Sequence, residues 1–387
     1  MGKRLRERDG EPVGGGQPPI RWARSIALAI ALLAIMASIY ATVAVSRRHA
    51  VVDFVSFWAA ARLALAGHAP VAYDLLAHKS LEETVQNLGR LKLPFGYPPP
   101  FLFFILPFGL FTFWVAFGTW VAVTGVIYVV AFRRIAPLPF SLAHPAVLLN
   151  AMIGQNGFLT SAIFVMGAAR LEPAPFTAGL ILGLLVIKPQ LALLLPIAVI
   201  AGRHWRAIVG ASLSAGFLLG AALIAFGTAS YAGFLAMAPQ LTGYLERGQL
   251  PWRELASTFA MFRFLGIPQA PALWLHVLVA SAATAATAWA WWRRIEARVP
   301  LLAAATLLIP PYLWTYDTLL MVVPIGWLIV RNEHPWLVAV LWLLCLLPIS
   351  AFFGLYSGPN TVPVAAILAT YVMIRESRPA DHLALGA

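Results

Sequence analysis

The chain has 387 residues, of which 61% are hydrophobic and only 11% charged, a composition too apolar to be packed into one soluble core. Its formal charge of +12 sits at the ends of apolar runs, with no interleaved basic and aromatic surface, which argues against a nucleic-acid partner. Alternating segments of about ten residues, the mark of a transmembrane β-barrel, are absent.

What remains is an all-α polytopic membrane protein, since a helical crossing needs about 20 mostly apolar residues and such runs recur from end to end, enough for about 11 to 13 crossings. Residues 1–24 read as a disordered basic tail whose Lys3, Arg4, Arg6, Arg8, Arg21 and Arg24 hold the N-terminus in the cytoplasm. The first apolar run, Ser25 to Val45, carries small residues near its end like a signal peptide, but it is too long for most such segments and is read as a retained helix. Residues 25–375 then form one integral membrane domain, with outer loops at 46–96 and 227–271 and a second cytoplasmic tail at 376–387.

Asp53 stands in the first outer loop, a lone carboxylate among apolar neighbours. If Val51 to Ala66 is helical, Asp53, Ser56, Ala60, Ala64 and Gly67 share a polar-to-small stripe, while Phe54, Trp58, Leu65 and Val55 form a bulky one suited to lipid. Tyr97-Pro98-Pro99-Pro100 opens an apolar region to Phe132 that suits two short helices turning near Pro107 to Thr112. Gly154-Gln155-Asn156-Gly157 and Lys188-Pro189-Gln190 interrupt two further apolar regions, where at least one broken or re-entrant helix is expected. Later come helices from Ala207 to Phe226 and Trp274 to Trp292, then shorter pieces Leu301 to Ile309, Leu319 to Val330, Trp336 to Ile349 and Val362 to Ile374. Arg203, Arg206, Arg293 and Arg294 mark the cytoplasm, which puts both loops and the Tyr312 to Asp317 stretch outside. With both ends inside the number of crossings must be even, so one apparent pair of short runs is a single crossing.

Phosphate-loop, dinucleotide-fold, zincin and nucleophile-elbow patterns are all absent. No histidine pair has metal spacing, and the lone Cys345 permits no internal disulfide. The candidates are polar groups in apolar surroundings: Asp53, Arg62, Tyr73, Asp74, Tyr97, Gln155, Asn156, Lys188, Gln190, Tyr316 and Asp317. Each has an ordinary reading beside the functional one. Arg62 can snorkel, Tyr73, Asp74 and Asp53 can cap surface helices, Tyr97 can anchor at the interface, and Gln155 with Asn156 can satisfy a helix break. Lys188 is harder to dismiss, because a cation between apolar arms needs an anionic partner. One outer carboxylate with embedded cations suits transfer between a lipid-borne phosphate and a hydroxyl. Asp53 would accept the hydroxyl proton, and Lys188 or an arginine would stabilise the leaving phosphate.

At these residues the chain resembles a known family. Asp53-Phe54 through Trp58, Ala61-Arg62-Leu63, Gly67, Tyr73-Asp74, Tyr97-Pro98-Pro99, Gly154-Gln155-Asn156 and Lys188-Pro189-Gln190 look like the bacterial membrane glycosyltransferases of family 87 (the DUF2029 group) in the GT-C superfamily. The resemblance runs from about Ser46 to Arg206, with only a loose match later, through Tyr312 to Asp317. It implies inverting transfer of a mannose-like sugar from a polyprenyl-phosphate donor to a lipid or glycan acceptor, on the outer face of the inner (plasma) membrane, with Asp53 as base. Arg62, Lys188, Gln190, Gln155, Asn156, Tyr97, Tyr73, Tyr316 and Asp317 would then bind donor and substrate. Other GT-C members often carry a carboxylate pair where this chain has Asp53-Phe54, so no metal and no other cofactor is expected. The competing readings are a secondary transporter or lipid flippase with discontinuous helices and a non-catalytic assembly factor.

Overall fold

The computed structural model describes residues 52–89, 93–246, 251–331, 334–352 and 354–376. The basic N-terminal tail, the helix expected over Ser25 to Val45 and the tail after residue 376 lie outside them. Every described element is helical; extended pairing is limited to one isolated bridge between Leu255 and Trp314.

The first described segment forms α1 (Phe54–Leu65), a 3-10 turn (Ala69–Tyr73) and α2 (Leu75–Glu82). After Pro98–Pro100 the chain makes α3 (Phe101–Ile105), a second 3-10 turn (Leu106–Leu110) and α4 (Phe113–Phe132). The reversal falls in the expected stretch, but α4 has 20 residues, long and apolar enough to cross a membrane, rather than being a short helix. Next come α5 (Leu138–Ala143), α6 (Pro145–Ile153) and α7 (Gly157–Ala168), then α8 (Pro175–Gly183), which runs on as 3-10 turns to Ile187 and from Pro189 to Ala192 before α9 (Leu195–Ala201). Prolines open α6 and α8 at positions where a backbone N–H has no helical partner.

A long helix, α10 (Trp205–Glu246), is broken at Gly227. It carries helix well into what reads from sequence as the second outer loop. That loop closes with a 3-10 turn at Trp252–Glu254 and α11 (Thr258–Phe264). The last elements are α12 (Gln269–Trp292), α13 (Arg298–Thr306), a 3-10 segment (Thr315–Met321), α14 (Val322–Arg331), α15 (Pro335–Ala351) and α16 (Val362–Arg375). Three helices among the described residues are long and apolar enough to cross a membrane: α4, the Trp205–Met237 part of α10, and α12. Large apolar side chains such as Phe217, Ile224, Trp274 and Leu278 stand exposed on α10 and α12, as lipid-facing helices require.

One expectation is corrected here. α1 is no half-exposed surface helix: Phe54 through Ala61 are all buried, and of the expected bulky stripe only Leu65, at the end of the helix, is exposed. Phe54 packs on Phe113, Phe117 and Trp120, Phe57 meets Tyr97 and Phe101 edge-on, and the Trp58 indole donates to the Phe111 carbonyl at 3.0 Å. A face of aromatic side chains can bury against protein as readily as against lipid, and sequence pattern does not separate the two.

The two ends of α12 define two ends of the molecule, about 36 Å apart for 24 residues at 1.5 Å each. At its C-terminal end Arg298 bonds Glu172 at 2.8 Å and His204 lies 3.6 Å from the same carboxylate, which gathers the α7–α8, α9–α10 and α12–α13 turns. Near its start, His276 Nδ1 is 2.6 Å from Thr258 Oγ1 and His276 Nε2 is 3.2 Å from the Ile309 carbonyl, so α11 and the Ile309–Asp317 stretch gather at the opposite end.

The turn between α6 and α7 depends on Gly154, whose φ of +70° is left-handed and whose missing Cβ would lie 2.6 Å from the Phe54 Cβ and 2.9 Å from the Phe117 ring. Gly154→Ala is expected to lower the unfolding temperature in detergent, by at least the 1–2 kcal/mol or so that a left-handed backbone costs an L-residue. An unchanged unfolding temperature would show that α1 does not seat against this turn.

Candidate active site

Asp53 occupies the N-cap of α1, where an aspartate ordinarily accepts hydrogen bonds from the first-turn amides. It makes no such bond. Its Oδ2 instead accepts the Gln155 amide Nε2 at 2.9 Å. Asp74 shows the contrast: its Oδ1 accepts from the backbone N–H groups of Leu76 and Ala77, both at 3.0 Å, and caps α2. Of the two aspartates, Asp74 takes the ordinary role and Asp53 keeps its carboxylate for the interior. Burial pushes the Asp53 carboxyl up to about 6, against the Gln155 hydrogen bond, which favours the ionised form.

Gln155 is presented by the α6–α7 break. The Trp120 indole donates to the Gly154 carbonyl at 2.9 Å and holds the turn from the α4 side. On its other face Gln155 Oε1 accepts the Tyr97 hydroxyl at 3.1 Å, and the Tyr97 carbonyl accepts the Tyr73 hydroxyl at 3.0 Å. Tyr73, Tyr97, Gln155 and Asp53 thus form one chain of contacts, in which an amide between a phenol and a carboxylate has its orientation fixed by both neighbours.

The next residue in the break, Asn156, begins a second set. Its Oδ1 accepts Lys188 Nζ at 2.7 Å, and the same ammonium lies 2.5 Å from Asp317 Oδ1. Lys188 also faces the rings of Tyr316 at 4.7 Å and Tyr97 at 5.9 Å, close enough for cation–π attraction. Lys188 and Asp317 are 1% and 2% exposed, so each charge is compensated by protein alone. Lys188 sits where the 3-10 turns on either side of it stop, and the break frees its side chain toward Asn156. Asn156 Nδ2 and Asp317 Oδ2 are buried without a hydrogen-bond partner.

The segment from Arg253 to Ala256 closes over the Tyr312–Asp317 stretch. The Ala256 N–H donates to the Leu313 carbonyl, Thr315 Oγ1 donates to the Glu254 carbonyl at 2.7 Å, and Asn360 Nδ2 bridges the Arg253 carbonyl and Thr315 Oγ1 at 3.0 and 2.9 Å. The Glu254 carboxyl is pushed up to about 7, first by burial and then by the charge of Asp53. A second carboxyl group thus stands within electrostatic reach of the first.

The model of glycosyltransferase family 87 matches residues 95–311, more than half of the chain. The chain belongs to glycosyltransferase family 87. No curated protein and no solved structure matches it. The matched stretch of this family 87 protein contains Tyr97, Gln155, Asn156, Lys188 and Glu254, while Asp53, Tyr316 and Asp317 come to them from outside it. Membership makes the protein a glycosyltransferase acting on a sugar donor and an acceptor, and the transporter and assembly-factor readings lapse.

Of the residues singled out from sequence, the fold of this glycosyltransferase gathers Asp53, Tyr73, Tyr97, Gln155, Asn156, Lys188, Tyr316 and Asp317. It does not bring Arg62 to them. That arginine is exposed at the far end of α1, nine residues and so about 13 Å along the axis from Asp53, with its guanidinium over Trp58 and toward the Gly109 carbonyl at 3.4 Å. Gln190 is half-buried two residues past Lys188. Asp53 is partnered by Gln155 rather than by Lys188 or Arg62, and the anion that Lys188 requires is Asp317. Among the described residues no three His, Cys, Asp or Glu side chains gather as a metal-binding group. Thr315, Asn360 and Trp120 went unnoticed in the sequence, because a hydroxyl, an amide or an indole near an apolar run carries no local signal.

Breaking the buried ion pair by removing one partner is expected to cost about 3–5 kcal/mol, whereas replacing both by apolar residues is close to neutral. Lys188→Met should therefore unfold at a markedly lower temperature in detergent, and Lys188→Met with Asp317→Leu should recover most of the loss. Equal stability of the single variant and the wild type would show that the pair carries no such energy.

Proposed function

We propose that this glycosyltransferase moves a mannose-like sugar from a polyprenyl-phosphate donor to a lipid or glycan hydroxyl, with inversion at the anomeric carbon and Asp53 as general base. One observation carries the reading: the Asp53 carboxylate is left unused as a helix cap and is aimed by Gln155, half-buried at the edge of the site. In the transfer the acceptor oxygen attacks the anomeric carbon as its proton passes to Asp53. The bond from that carbon to the phosphate oxygen breaks, and polyprenyl phosphate leaves with the electron pair.

Lys188 spends two of its three ammonium protons on Asn156 and Asp317. The third, with the unpartnered Asn156 Nδ2, is assigned to the donor phosphate. Tyr97, Tyr316, Gln190 and the Asp317 Oδ2 border the donor, Tyr73 holds Tyr97 in place, and the loop carrying Trp252, Arg253, Glu254 and Arg263 meets the acceptor. Arg62 lies too far along α1 to share in this. The placement of the site supports an outer-face reaction in the plasma membrane: it stands at the end of α12 opposite the arginine-rich turns, which the positive-inside rule assigns to the cytoplasm. Short helices paired across the breaks would complete about 11 to 13 crossings.

The test is purified protein in lipid, supplied with polyprenyl-phosphate-sugar and an acceptor extract. Asp53→Asn is expected to lower kcat/KM by about a hundred- to ten-thousand-fold; transfer at the wild-type rate would remove Asp53 as base. Because the base must be ionised and its carboxyl titrates near 6 rather than 3.8, kcat/KM should fall as pH drops through about 6. A flat profile down to pH 4.5 or so would contradict the burial of the carboxyl. With Phe54 beside Asp53 in place of a second carboxylate, transfer is expected to persist in a chelator. Loss of activity restored by a divalent ion would reverse that expectation.

A further inference from the structure

Two aromatic residues, Tyr312 and Trp314, stand beside the site without a part in the proton and phosphate chemistry. Trp314 has extended backbone and forms the isolated bridge with Leu255, and extended chain turns successive side chains to opposite sides. Leu313 and Thr315, each 1% exposed, go one way, Leu313 into the main core and the Thr315 hydroxyl to the Glu254 carbonyl. Tyr312, Trp314 and Tyr316 go the other way and touch one another. The Tyr316 ring faces the Lys188 ammonium at 4.7 Å and lies 6.1 Å from the Trp314 ring, within 11° of parallel. At that spacing the two rings are offset rather than face to face, so together they make a broad, nearly flat surface. Asn150 Nδ2 donates to the Tyr316 carbonyl at 2.7 Å and pins its inner end.

Burial decreases along the row. Tyr316 is 6% exposed, whereas Trp314 and Tyr312 are half-buried. Tyr312 meets Trp314 edge-on at 5.9 Å, and its hydroxyl oxygen accepts the indole N–H at 2.7 Å. The phenol proton is left over, and among the described residues it finds no acceptor. Packing alone accounts for part of this, since Trp314 joins the small apolar clusters around Leu255 and Leu149. It does not account for a half-buried O–H without an acceptor, which costs free energy unless a ligand or water takes it. A flat aromatic surface with one oriented donor at its edge matches the two sides of a sugar ring. The weakly positive C–H face lies against the negative face of the aromatic ring, and the hydroxyls reach the polar edge.

We propose that Tyr312 and Trp314 bind the sugar of the donor, with Trp314 stacked on its C–H face and the Tyr312 hydroxyl donating to one of its oxygens. This rests on the donor phosphate lying at Lys188, because a sugar joined to that phosphate comes to the rings that continue outward from Tyr316. Both residues select and hold the sugar, and neither moves a proton in the transfer.

The test compares two ligands that differ only by the sugar, in protein reconstituted in lipid: polyprenyl-phosphate-sugar as substrate and polyprenyl phosphate as inhibitor. Tyr312→Phe is expected to lower kcat/KM for the donor about three- to tenfold, the worth of one hydrogen bond. Trp314→Leu should lower it by about ten- to a hundredfold, and Trp314→Phe, which keeps a smaller ring, by less. In all three the inhibition constant of polyprenyl phosphate should stay at its wild-type value, because the phosphate contacts at Lys188 and Asn156 are untouched. A general loosening of the site would weaken both ligands together. That result, or kcat/KM unchanged in Tyr312→Phe and Trp314→Leu, would overturn the proposal. If Trp314→Leu does not fold, Tyr312→Phe decides alone: a lower kcat/KM with an unmoved inhibition constant supports the proposal, and any other result overturns it. A wild type that takes no sugar from polyprenyl phosphate would overturn the donor reading and this one with it, whereas a wild type that does so with Tyr312→Phe indistinguishable from it overturns this one alone.

Discussion

A single ammonium group inside the protein constrains much of what surrounds it. Lys188 is enclosed, and an enclosed cation is tolerated only with an anion and oriented dipoles at contact distance. The chain supplies these from far apart: Asp317 lies 129 residues onward and Asn156 lies 32 residues back. Meeting at one ammonium ties the α6–α7 break, the Lys188 break and the Thr315–Met321 segment together. None of the three could shift by an ångström or two without exposing a charge.

The arrangement around Asp53 follows from that tie. With Asn156 fixed on Lys188, the neighbouring Gln155 is fixed as well. It can then reach Asp53 on one side and Tyr97 on the other. The left-handed Gly154 lets the turn approach α1 closely enough for this, and the Trp120 indole holds its carbonyl. Asp53 is thereby turned inward from a position at which aspartates usually cap the helix. Broken helices of this kind offer a membrane protein irregular backbone beside a cavity, where a transferase needs polar groups within an apolar body.

The features that were legible in the sequence have local causes. Gly154 and Pro189 break helices through their own backbone chemistry, and both breaks fall where the sequence places them. Asp53 and Lys188 stand out because a charge among apolar neighbours needs an explanation. What sequence did not reveal is long-range or many-sided. The anion for Lys188 had several candidates, and only the fold selects Asp317. The aromatic face of α1 looks the same whether it meets lipid or Phe113, Phe117 and Trp120, so α1 was expected at the surface and lies buried. Arg62 shares a helix with Asp53, yet helical rise alone separates them. The continuation of α10 beyond Gly227 was hidden because a left-handed glycine ordinarily ends a helix, whereas here the chain resumes helical geometry after it.

The most direct measurement of the central claim is a structure of the protein in lipid with a non-transferable polyprenyl-phosphonate sugar bound. The account predicts the phosphonate on the Lys188 and Asn156 side, with the Asp53 carboxylate facing the opposite side of the anomeric carbon across a gap that admits an acceptor hydroxyl. A sugar whose anomeric carbon lies beyond reach of Asp53, or whose phosphonate stands between the two, would contradict it.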